Sequence, residues 1–446
     1  MQNERSDIDP GGLLEYSVVF SDRSLNHMSQ SFQEVMRDIS ATLKKVYKSQ
    51  SVVLVPGGGT YGMEAVARQF ATDKNCLVIR NGWFSYRWTQ ILEMGSIPSD
   101  STVLRASRVS AAKHAPFSPP PIDKVVESIK QNRPEVVFAP HVETSAGIIL
   151  PDDYLRAVGE AVHEVSGMFV LDCVASGALW VDMEATGVDV LISAPQKGWS
   201  GSPCSGLIML STLAVQKLTS TKSTSFATDL RKWKEIMEAY EEGGHAYHAT
   251  MPTDSLRQFH RVMNETERFG FNEAQNKQEE LGRRVRDLLR EVGVHSVADK
   301  GFEAPSVVVS YTDDSQVQNG AKFSNLGIQV AAGVPLMCGE PKDFQTFRLG
   351  LFGLDKLANV DRTLERLESV LVQVFDSECW RKLKLLCLHS FISPLPTSSK
   401  IISSPNSPVS FDKILLKVFP SMCSSSVIEL SGFLEGRPNI INVSPR

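Results

Sequence analysis

Cysteines are few in this 446-residue sequence, and they are scattered along it. No two of them form a CxxC pair, so the spacing fits neither a disulfide-stapled domain nor a structural zinc site. We therefore expect free thiols and a cytoplasmic protein, with the peroxisome and the mitochondrion as alternatives because no clear targeting signal is present. The seven cysteines are Cys76, Cys173, Cys204, Cys338, Cys379, Cys387 and Cys423.

Long apolar stretches and a strong charge excess are also missing. No run approaches the roughly 20 apolar residues that span a bilayer, and the polar N-terminal segment lacks the apolar part of a secretory signal. Lysine and arginine total 46 and aspartate and glutamate total 51, which gives a net charge of −5. This balance excludes a chain dominated by a nucleic-acid-binding charge field. We expect neither a membrane nor a nucleic-acid partner.

The sequence does contain a regular alternation of short apolar runs and amphipathic segments, from about residue 13 to residue 375. Apolar residues make up 42% of the chain, which is enough for a sizeable core. Runs rich in β-branched residues and separated by helical patterns predict a parallel sheet covered on both faces, the α/β class. The runs are Ser51–Val55, Cys76–Ile79, Glu135–Ala139, Met168–Asp172, Val188–Ser193 and Gly206–Leu210.

Composition and patterning divide the chain into four predicted segments. Residues 1–12 form a polar leader that we expect to be disordered, and residues 13–252 form a large domain. A smaller α/β domain covers 253–375 and begins with one long helical stretch. Residues 376–446 are rich in serine and proline and show no clear period, so we expect a poorly structured extension.

A glycine-rich turn follows the first apolar run and opens a helical pattern. It reads Gly57-Gly58-Gly59-Thr60. Glycines let backbone N–H groups approach an anion, and the helix N-terminus and the Thr60 hydroxyl add further attraction for a phosphate. The spacing matches neither a Walker A loop nor a GxGxxG fingerprint, so a plain glycine turn is the alternative.

An aspartate and a lysine follow two later apolar runs. Asp172 ends one run, and Lys197 lies in a polar loop one strand–helix–strand unit further along. Taken singly, Asp172 could cap a helix and Lys197 could be a solvated loop lysine. Together with the glycine turn they supply what pyridoxal phosphate (PLP) needs: a phosphate cup, a carboxylate for the pyridine nitrogen and an amine for a Schiff base. The sequence therefore predicts a PLP site.

Seven segments, in the family order, resemble the class V PLP-dependent aminotransferases, and within them the alanine–glyoxylate and serine–pyruvate aminotransferases. The resemblance covers roughly residues 13–375. It implies PLP-dependent transferase fold type I, with a mostly parallel seven-stranded sheet in a large domain, a smaller C-terminal α/β domain, and a homodimer. The segments are Gly57–Glu64, Asn81–Arg87, His141–Gly147, Asp172–Ala175, Gln196–Lys197, Tyr247–Pro252 and Phe347–Gly350.

The resemblance also implies roles for the matched residues. Lys197 corresponds to the lysine that forms the Schiff base and moves the proton, and Asp172 to the acid that pairs with the pyridine nitrogen. Val174 and Phe84 correspond to residues that pack on opposite faces of the ring. Arg348 corresponds to the arginine that binds the substrate α-carboxylate through a bidentate fork, which a lysine could not reproduce.

The remaining matched positions surround the ring oxygen and the phosphate. Thr144 corresponds to a hydroxyl residue near the 3′ oxygen of the ring. Tyr247 and Thr250 correspond to residues that reach the phosphate of the neighbouring subunit. The phosphate-cup positions are Gly58, Gly59, Thr60 and Gln196.

The implied reaction is a ping-pong transamination between a small L-amino acid, alanine-like or serine-like, and a 2-oxo acid such as glyoxylate or pyruvate. Alternatives are a class V lyase or cysteine desulfurase, with Cys338 as the candidate thiol, and a catalytically impaired relative. Gln196 stands where desulfurases carry a histidine before the lysine. The segment before Asn26 also departs from the family pattern, which leaves the amino donor open. The spacing of His141, His245 and His248 fits no standard ligand set, so we expect no metal.

Overall fold

Short β-branched runs of the sequence form a buried central sheet in the computed structural model, which describes residues 8–17 and 23–375. The predicted extension over 376–446 and most of the predicted leader lie outside the described residues. The predicted boundary between domains at residue 252 stays a prediction. No helix in the described part of the chain is long and apolar enough to cross a membrane.

The central strands and helices alternate along the chain, as expected for an α/β fold. The strands are β1 (Ser51–Pro56), β2 (Asn75–Arg80), β3 (Asp100–Arg105), β4 (Ser107–Arg108), β5 (Phe117–Ser118), β6 (Val136–Pro140), β7 (Val142–Glu143), β8 (Ile148–Ile149), β9 (Met168–Asp172), β10 (Val190–Ser193), β11 (Ser205–Leu210), β12 (Val307–Tyr311), β13 (Ala331–Ala332) and β14 (Thr346–Gly350). The helices are α1 (Gln30–Tyr47), α2 (Gly59–Phe70), α3 (Trp83–Met94), α4 (Ile122–Asn132), α5 (Asp152–Glu164), α6 (Met183–Thr186), α7 (Thr212–Ser220), α8 (Leu230–Glu241), α9 (Thr253–Phe269), α10 (Phe271–Glu291), α11 (Ser315–Gln318), α12 (Ala321–Ser324), α13 (Leu354–Leu357) and α14 (Val360–Phe375).

Seven strands form the central sheet, in the order β1-β11-β10-β9-β6-β2-β3. The neighbours β10, β9, β6, β2 and β3 are parallel, whereas β11 runs antiparallel to both β1 and β10. A parallel neighbour needs a long crossover, usually a helix. The connection over 194–204 has no helix, so β11 returns antiparallel. The predicted mostly parallel seven-stranded sheet is confirmed.

The ends of these strands bring distant parts of the chain together. Asp172 is the last residue of β9 and lies in register with Ile192 of β10 and Pro140 of β6. Helix α2 begins just after β1, and α3 begins just after β2. Ligands of open α/β sheets bind at the carboxyl ends of the strands, so this edge is the place to look for a site.

A three-stranded antiparallel sheet of order β12-β14-β13 forms a second layer with α10 and α14. Arg348, in the middle of β14, lies opposite Val309 of β12 and Ala331 of β13. The long helical stretch predicted over Ser255–Val292 is wrong in one respect, because it is divided into α9 and α10 at Gly270. The φ angle of Gly270 is +99°, a value that L-residues rarely adopt and that interrupts a helix.

Candidate active site

A cavity of about 820 Å³ lies at the carboxyl ends of β9 and β10, between the start of α2 and strand β14. Segments that are far apart in sequence contribute to its wall, as the class V resemblance implies. Nine of the residues predicted for the site line the cavity, namely Gly59, Thr60, Phe84, Thr144, Asp172, Val174, Gln196, Lys197 and Arg348.

The first turn of α2 forms one end of the cavity. Gly57 has a φ angle of +124°, and a Cβ there would lie 2.6 Å from Cγ of Tyr61, so the turn requires glycine. A Cβ on Gly59 would lie 2.7 Å from Cγ2 of Val174, which shows how closely the helix start approaches this residue. The free N–H groups of a helix N-terminus attract anions. This end of the cavity therefore suits a phosphate group.

Arg87, which was given no role from the sequence, lies at the same end. Its Nη1 donates a hydrogen bond of 3.0 Å to Oγ1 of Thr60, and its guanidinium carbon lies 5.3 Å from the centre of the Phe84 ring. Oε1 of Gln196 is buried and accepts no hydrogen bond from the described residues. A cation, a hydroxyl group and an unpaired amide thus meet beside the helix N-terminus, which fits the phosphate end of PLP.

Asp172 is a buried carboxylate that no cation pairs with in the described part of the chain. Its Oδ1 accepts a hydrogen bond of 2.9 Å from the backbone N–H of Val174. The pKa of Asp172 is raised to about 6, chiefly by burial and to a smaller extent by the negative charge of Glu143, while that backbone hydrogen bond and Arg87 oppose the shift. An acid in this setting would gain from a cationic partner, and a protonated pyridine nitrogen is one.

Lys197 lies in the loop that joins β10 to β11, four residues after the end of β10. Its Nζ atom is 5.2 Å from the centre of the Phe352 ring. Burial, and then the positive charge of Arg348, lower the pKa of this amine. A lysine that loses its proton more readily is a better nucleophile toward an aldehyde or an imine.

Arg348 projects from β14 into the same cavity. Its Nε donates a hydrogen bond of 2.8 Å to the carbonyl oxygen of Ala332, and its guanidinium carbon lies 5.5 Å from the centre of the Phe84 ring. Burial lowers its pKa, and the charge of Glu143 opposes that shift. Among the described residues no carboxylate forms an ion pair with this guanidinium, so its fork can receive a substrate carboxylate.

Three predicted residues lie outside the cavity wall. Gly58 is the N-cap of α2 and takes an extended conformation next to the wall. Tyr247 is 55% exposed, and its hydroxyl lies 3.4 Å from Oγ1 of Thr250. Because Tyr247 and Thr250 were predicted to serve a neighbouring subunit, their position in one chain does not test that role.

Cys338, the candidate for the alternative thiol chemistry, is not suited to it. Cys338 does not line the cavity, and its Sγ atom lies 3.5 Å from the carbonyl oxygen of Arg80. Burial raises the pKa of this thiol to about 12, so the thiolate that a desulfurase uses is disfavoured. A search of the described residues finds no group of three histidine, cysteine or acidic side chains that could hold a metal.

Sequence comparison identifies aminotransferases as relatives. Alanine–glyoxylate aminotransferase 1 of Saccharomyces cerevisiae is 28% identical over 286 residues, which cover 60% of this chain and 70% of the relative. A 2-aminoethylphosphonate–pyruvate transaminase of Syntrophobacter fumaroxidans is 26% identical over 339 residues, which cover 74% of this chain and 84% of the relative. No family model matches the chain.

Structure comparison agrees with the sequence comparison. The crystal structure of an alanine–glyoxylate aminotransferase from a Nostoc species superposes with a TM-score of 0.67 and 21% identity, over 78% of this chain and 89% of that one. The predicted fold type I, the resemblance to class V and the use of PLP are confirmed. In fold and in sequence the chain is similar to the PLP-dependent alanine–glyoxylate aminotransferases of class V.

Proposed function

We propose that the protein transfers an amino group from a small L-amino acid, alanine-like or serine-like, to a 2-oxo acid such as glyoxylate or pyruvate. One observation carries the proposal: the Lys197 amine, the Asp172 carboxylate and the Arg348 guanidinium line one cavity beside a helix N-terminus. These are the groups that hold a PLP ring and a substrate carboxylate. The names of the curated relatives, which include alanine, glyoxylate and pyruvate, support the substrate class.

The residues that line the cavity have separate roles in binding the cofactor and in moving the proton. When bound, PLP supplies an aldehyde that reacts with amines and a ring that accepts the electron pair left at the substrate Cα. Lys197 would bind the cofactor aldehyde through Nζ, and the same amine would move the proton at the substrate Cα. Asp172 would keep the pyridine nitrogen protonated, because a buried carboxylate is most stable beside a cation. Phe84 and Val174 would pack on the two faces of the ring.

Substrate orientation depends on Arg348. A guanidinium fork that donates to both oxygens of an α-carboxylate fixes the position of Cα relative to the Lys197 amine. Thr60, Gln196 and the backbone N–H groups at the start of α2 would bind the phosphate. The Thr144 hydroxyl would donate to the 3′ oxygen of the ring.

A half-reaction tests this function directly. Purified protein that has been loaded with PLP is mixed with single L-amino acids, and the visible spectrum of the bound cofactor is followed. We expect alanine or serine to bleach the visible absorption band of the bound cofactor and glyoxylate or pyruvate to restore it. A spectrum that no amino acid in the panel changes would contradict the proposed function.

Arg348→Lys is expected to raise KM for the amino donor by about 10–100-fold, with a smaller fall in kcat. The lysine keeps a positive charge but cannot form the pair of parallel hydrogen bonds, and the loss of one hydrogen bond to a charged group costs roughly 1.5–3 kcal/mol. Steady-state kinetics measure both constants. Arg283→Lys is the control, because that guanidinium pairs with Asp287 on the exposed side of α10 and neither residue lines the cavity. Equal effects of the two substitutions would refute the assignment of Arg348.

Gly59→Ala is expected to weaken PLP binding by about 10–100-fold. The new Cβ would lie 2.7 Å from Cγ2 of Val174 and would push that side chain toward the ring. Overpacking of this kind costs about 1–3 kcal/mol. Gly58→Ala is the matched comparison, since a Cβ there meets nothing within 4 Å, and its effect should be much smaller. Fluorescence titration with PLP measures both dissociation constants, and a Gly59→Ala constant equal to that of the unaltered protein would contradict the packing argument.

We also propose a homodimer in which Tyr247 and Thr250 reach the phosphate site of the other subunit. The exposure of Tyr247 in a single chain and the family resemblance support this arrangement. Analytical ultracentrifugation should give twice the chain mass of 49.2 kDa. Tyr247→Phe should leave that mass unchanged and weaken PLP binding by about 10–150-fold, the loss of one hydrogen bond to a charged group. A monomeric protein with full PLP affinity would disprove the proposal.

For the location in the cell we propose the cytoplasm. Four cysteines in the described part of the chain are free thiols, as a reducing compartment would keep them. They are Cys76, Cys173, Cys204 and Cys338. Fractionation of cells that express the full chain tests this, and recovery with peroxisomes or mitochondria would overturn it.

A further inference from the structure

A buried carboxylate next to the cavity has no part in the reaction proposed above. Glu143 is fully buried, and no lysine, arginine or histidine forms an ion pair with it among the described residues. It lies in the short strand β7, directly before Thr144 of the cavity wall. A buried charge without a cation is costly unless several hydrogen bonds compensate for it.

Five hydrogen bonds compensate for the burial of Glu143. Its Oε1 accepts from the backbone N–H of Phe84 at 3.2 Å, from the backbone N–H of Ser145 at 3.0 Å and from the Ser145 hydroxyl at 2.7 Å. Its Oε2 accepts from the backbone N–H of Ser85 at 2.9 Å and from the Ser85 hydroxyl at 2.6 Å. The carboxylate therefore joins the first turn of α3 to the loop that follows β7.

The Ser145 hydroxyl donates to Glu143, and the Ser85 hydroxyl lies within donating distance of both Glu143 and the carbonyl oxygen of Gly82. Three further neighbours are the backbone N–H groups of Phe84, Ser85 and Ser145, which can act only as donors toward the carboxylate. Since every neighbour of Glu143 is a donor, an uncharged amide of the same shape would place its NH₂ group against another donor.

Close packing at Gly82 leaves this junction little freedom. A Cβ on Gly82 would lie 2.1 Å from the Ser145 hydroxyl oxygen and 2.8 Å from Cδ of Glu143. The start of α3 and the loop after β7 are thus in direct contact, with the carboxylate between them. Phe84 is the second residue of α3, so its backbone position is set by this contact.

We propose that Glu143 is a positioning residue, which fixes the Phe84 side chain against the face of the PLP ring. The inference rests on the proposed function, because it concerns how that ring is held. The backbone N–H of Phe84 donates a hydrogen bond to Glu143, and the next residue, Ser85, donates two more. The Phe84 ring is in turn the surface over which the guanidinium groups of Arg87 and Arg348 lie.

The charge of Glu143 acts on the same site. It raises the pKa of the Asp172 carboxyl and opposes the lowering of the pKa of Arg348. These effects show that the buried carboxylate is close enough to the acid and to the arginine of the cavity to act on both of them. They agree with a position beside the ring, which the hydrogen bonds define independently.

A double-mutant cycle on PLP binding tests the inference. Glu143→Gln, Phe84→Leu and the double variant are titrated with PLP, and the induced circular dichroism of the bound cofactor is recorded at saturation. We expect Glu143→Gln to weaken PLP binding by about tenfold or more and to reduce the dichroism per bound PLP. In the Phe84→Leu background the same substitution should change the affinity by less than about threefold, because groups that act through one another are not additive.

Glu340→Gln is the matched control. Its carboxylate also collects backbone N–H groups, from Leu336 at 2.7 Å, Met337 at 3.0 Å and Cys338 at 2.9 Å, but it does not line the cavity. It should lower the melting temperature and leave the dichroism per bound PLP unchanged. Glu143→Asp, which keeps the charge, serves as a second variant should Glu143→Gln fail to fold, and it should recover part of the dichroism.

The possible results distinguish the positioning role of Glu143 from the proposed function of the protein. Additive losses of affinity in the cycle, or an unchanged dichroism in Glu143→Gln, would overturn the positioning role alone. An unaltered protein that binds no PLP would overturn the proposed function and this inference together. A reduced dichroism with a non-additive cycle would establish that Glu143 acts through Phe84.

Discussion

Lys197→Ala is expected to abolish transamination, with a fall in turnover of at least about 10⁴-fold. The substitution removes the amine that holds the aldehyde of PLP and also the base that moves the proton from the substrate Cα. Positioned proton transfer alone contributes about 10²–10⁴-fold. The site has no second amine in the same setting among its lining residues, because Lys356 donates its Nζ proton to the carbonyl oxygen of Phe352. Coupled assays of keto-acid formation measure the loss.

Two further variants show whether the amine or its charge is needed. Lys197→Arg keeps the positive charge but cannot form the covalent link, so it should be as inactive as Lys197→Ala. Added methylamine should restore part of the activity of Lys197→Ala, since it supplies the missing amine, and should not help Lys197→Arg. A Lys197→Ala protein with undiminished turnover would remove the basis of the proposed function.

Much of the fold follows from the apolar runs. Strand β9 was predicted over Met168–Asp172 and has those bounds, because five buried residues in a row need a sheet that is covered on both faces. The direction of β11 was not predicted, since an apolar run carries no information about the direction of a strand. The division of the stretch over Ser255–Val292 was also missed. Gly270 marks that division, but a glycine within a helical pattern is not a sufficient signal of a break.

The sequence motifs predicted most residues of the site but missed three of them. The residues predicted to contact PLP and substrate largely meet at one cavity, because their types match chemical needs that sequence motifs preserve. Arg87 and Glu143 lie inside two of the quoted motifs but received no role. Their functions depend on partners that only the folded chain brings near, such as Thr60 for Arg87 and Ser85 for Glu143. Phe352 had no sequence signal at all.

Asp172→Asn is expected to stabilise the PLP-free protein while it disables the enzyme. The pKa of the Asp172 carboxyl is about 6 in the fold, against 3.8 for the free residue, because burial disfavours its charge. The folded state therefore binds this proton more tightly than the unfolded state does, and ionisation costs stability as pH rises. At 1.36 kcal/mol per pKa unit, the cost above pH 6 is of the order of 3 kcal/mol, and it disappears below about pH 4.

An asparagine avoids that cost and can still accept the backbone hydrogen bond of Val174. The melting temperature of the PLP-free Asp172→Asn protein should thus exceed that of the unaltered protein by a few degrees at pH 8, and the two should converge near pH 4. Turnover should fall by about 10²–10³-fold, because breaking a buried ion pair costs roughly 3–5 kcal/mol. The stabilised variant would then be the inactive one.

Asp189 provides the matched control for this experiment. It is also a buried aspartate, but its carboxylate accepts hydrogen bonds from His163 at 2.9 Å, the backbone N–H of Phe169 at 2.8 Å and the Ser211 hydroxyl at 3.1 Å. Asp189→Asn should therefore lower the melting temperature at pH 8. Calorimetry of both PLP-free variants measures these melting temperatures. If the melting temperature of Asp172→Asn at pH 8 is also lower than that of the unaltered protein, then the buried Asp172 carboxylate does not destabilise the fold in the absence of a cationic ring nitrogen.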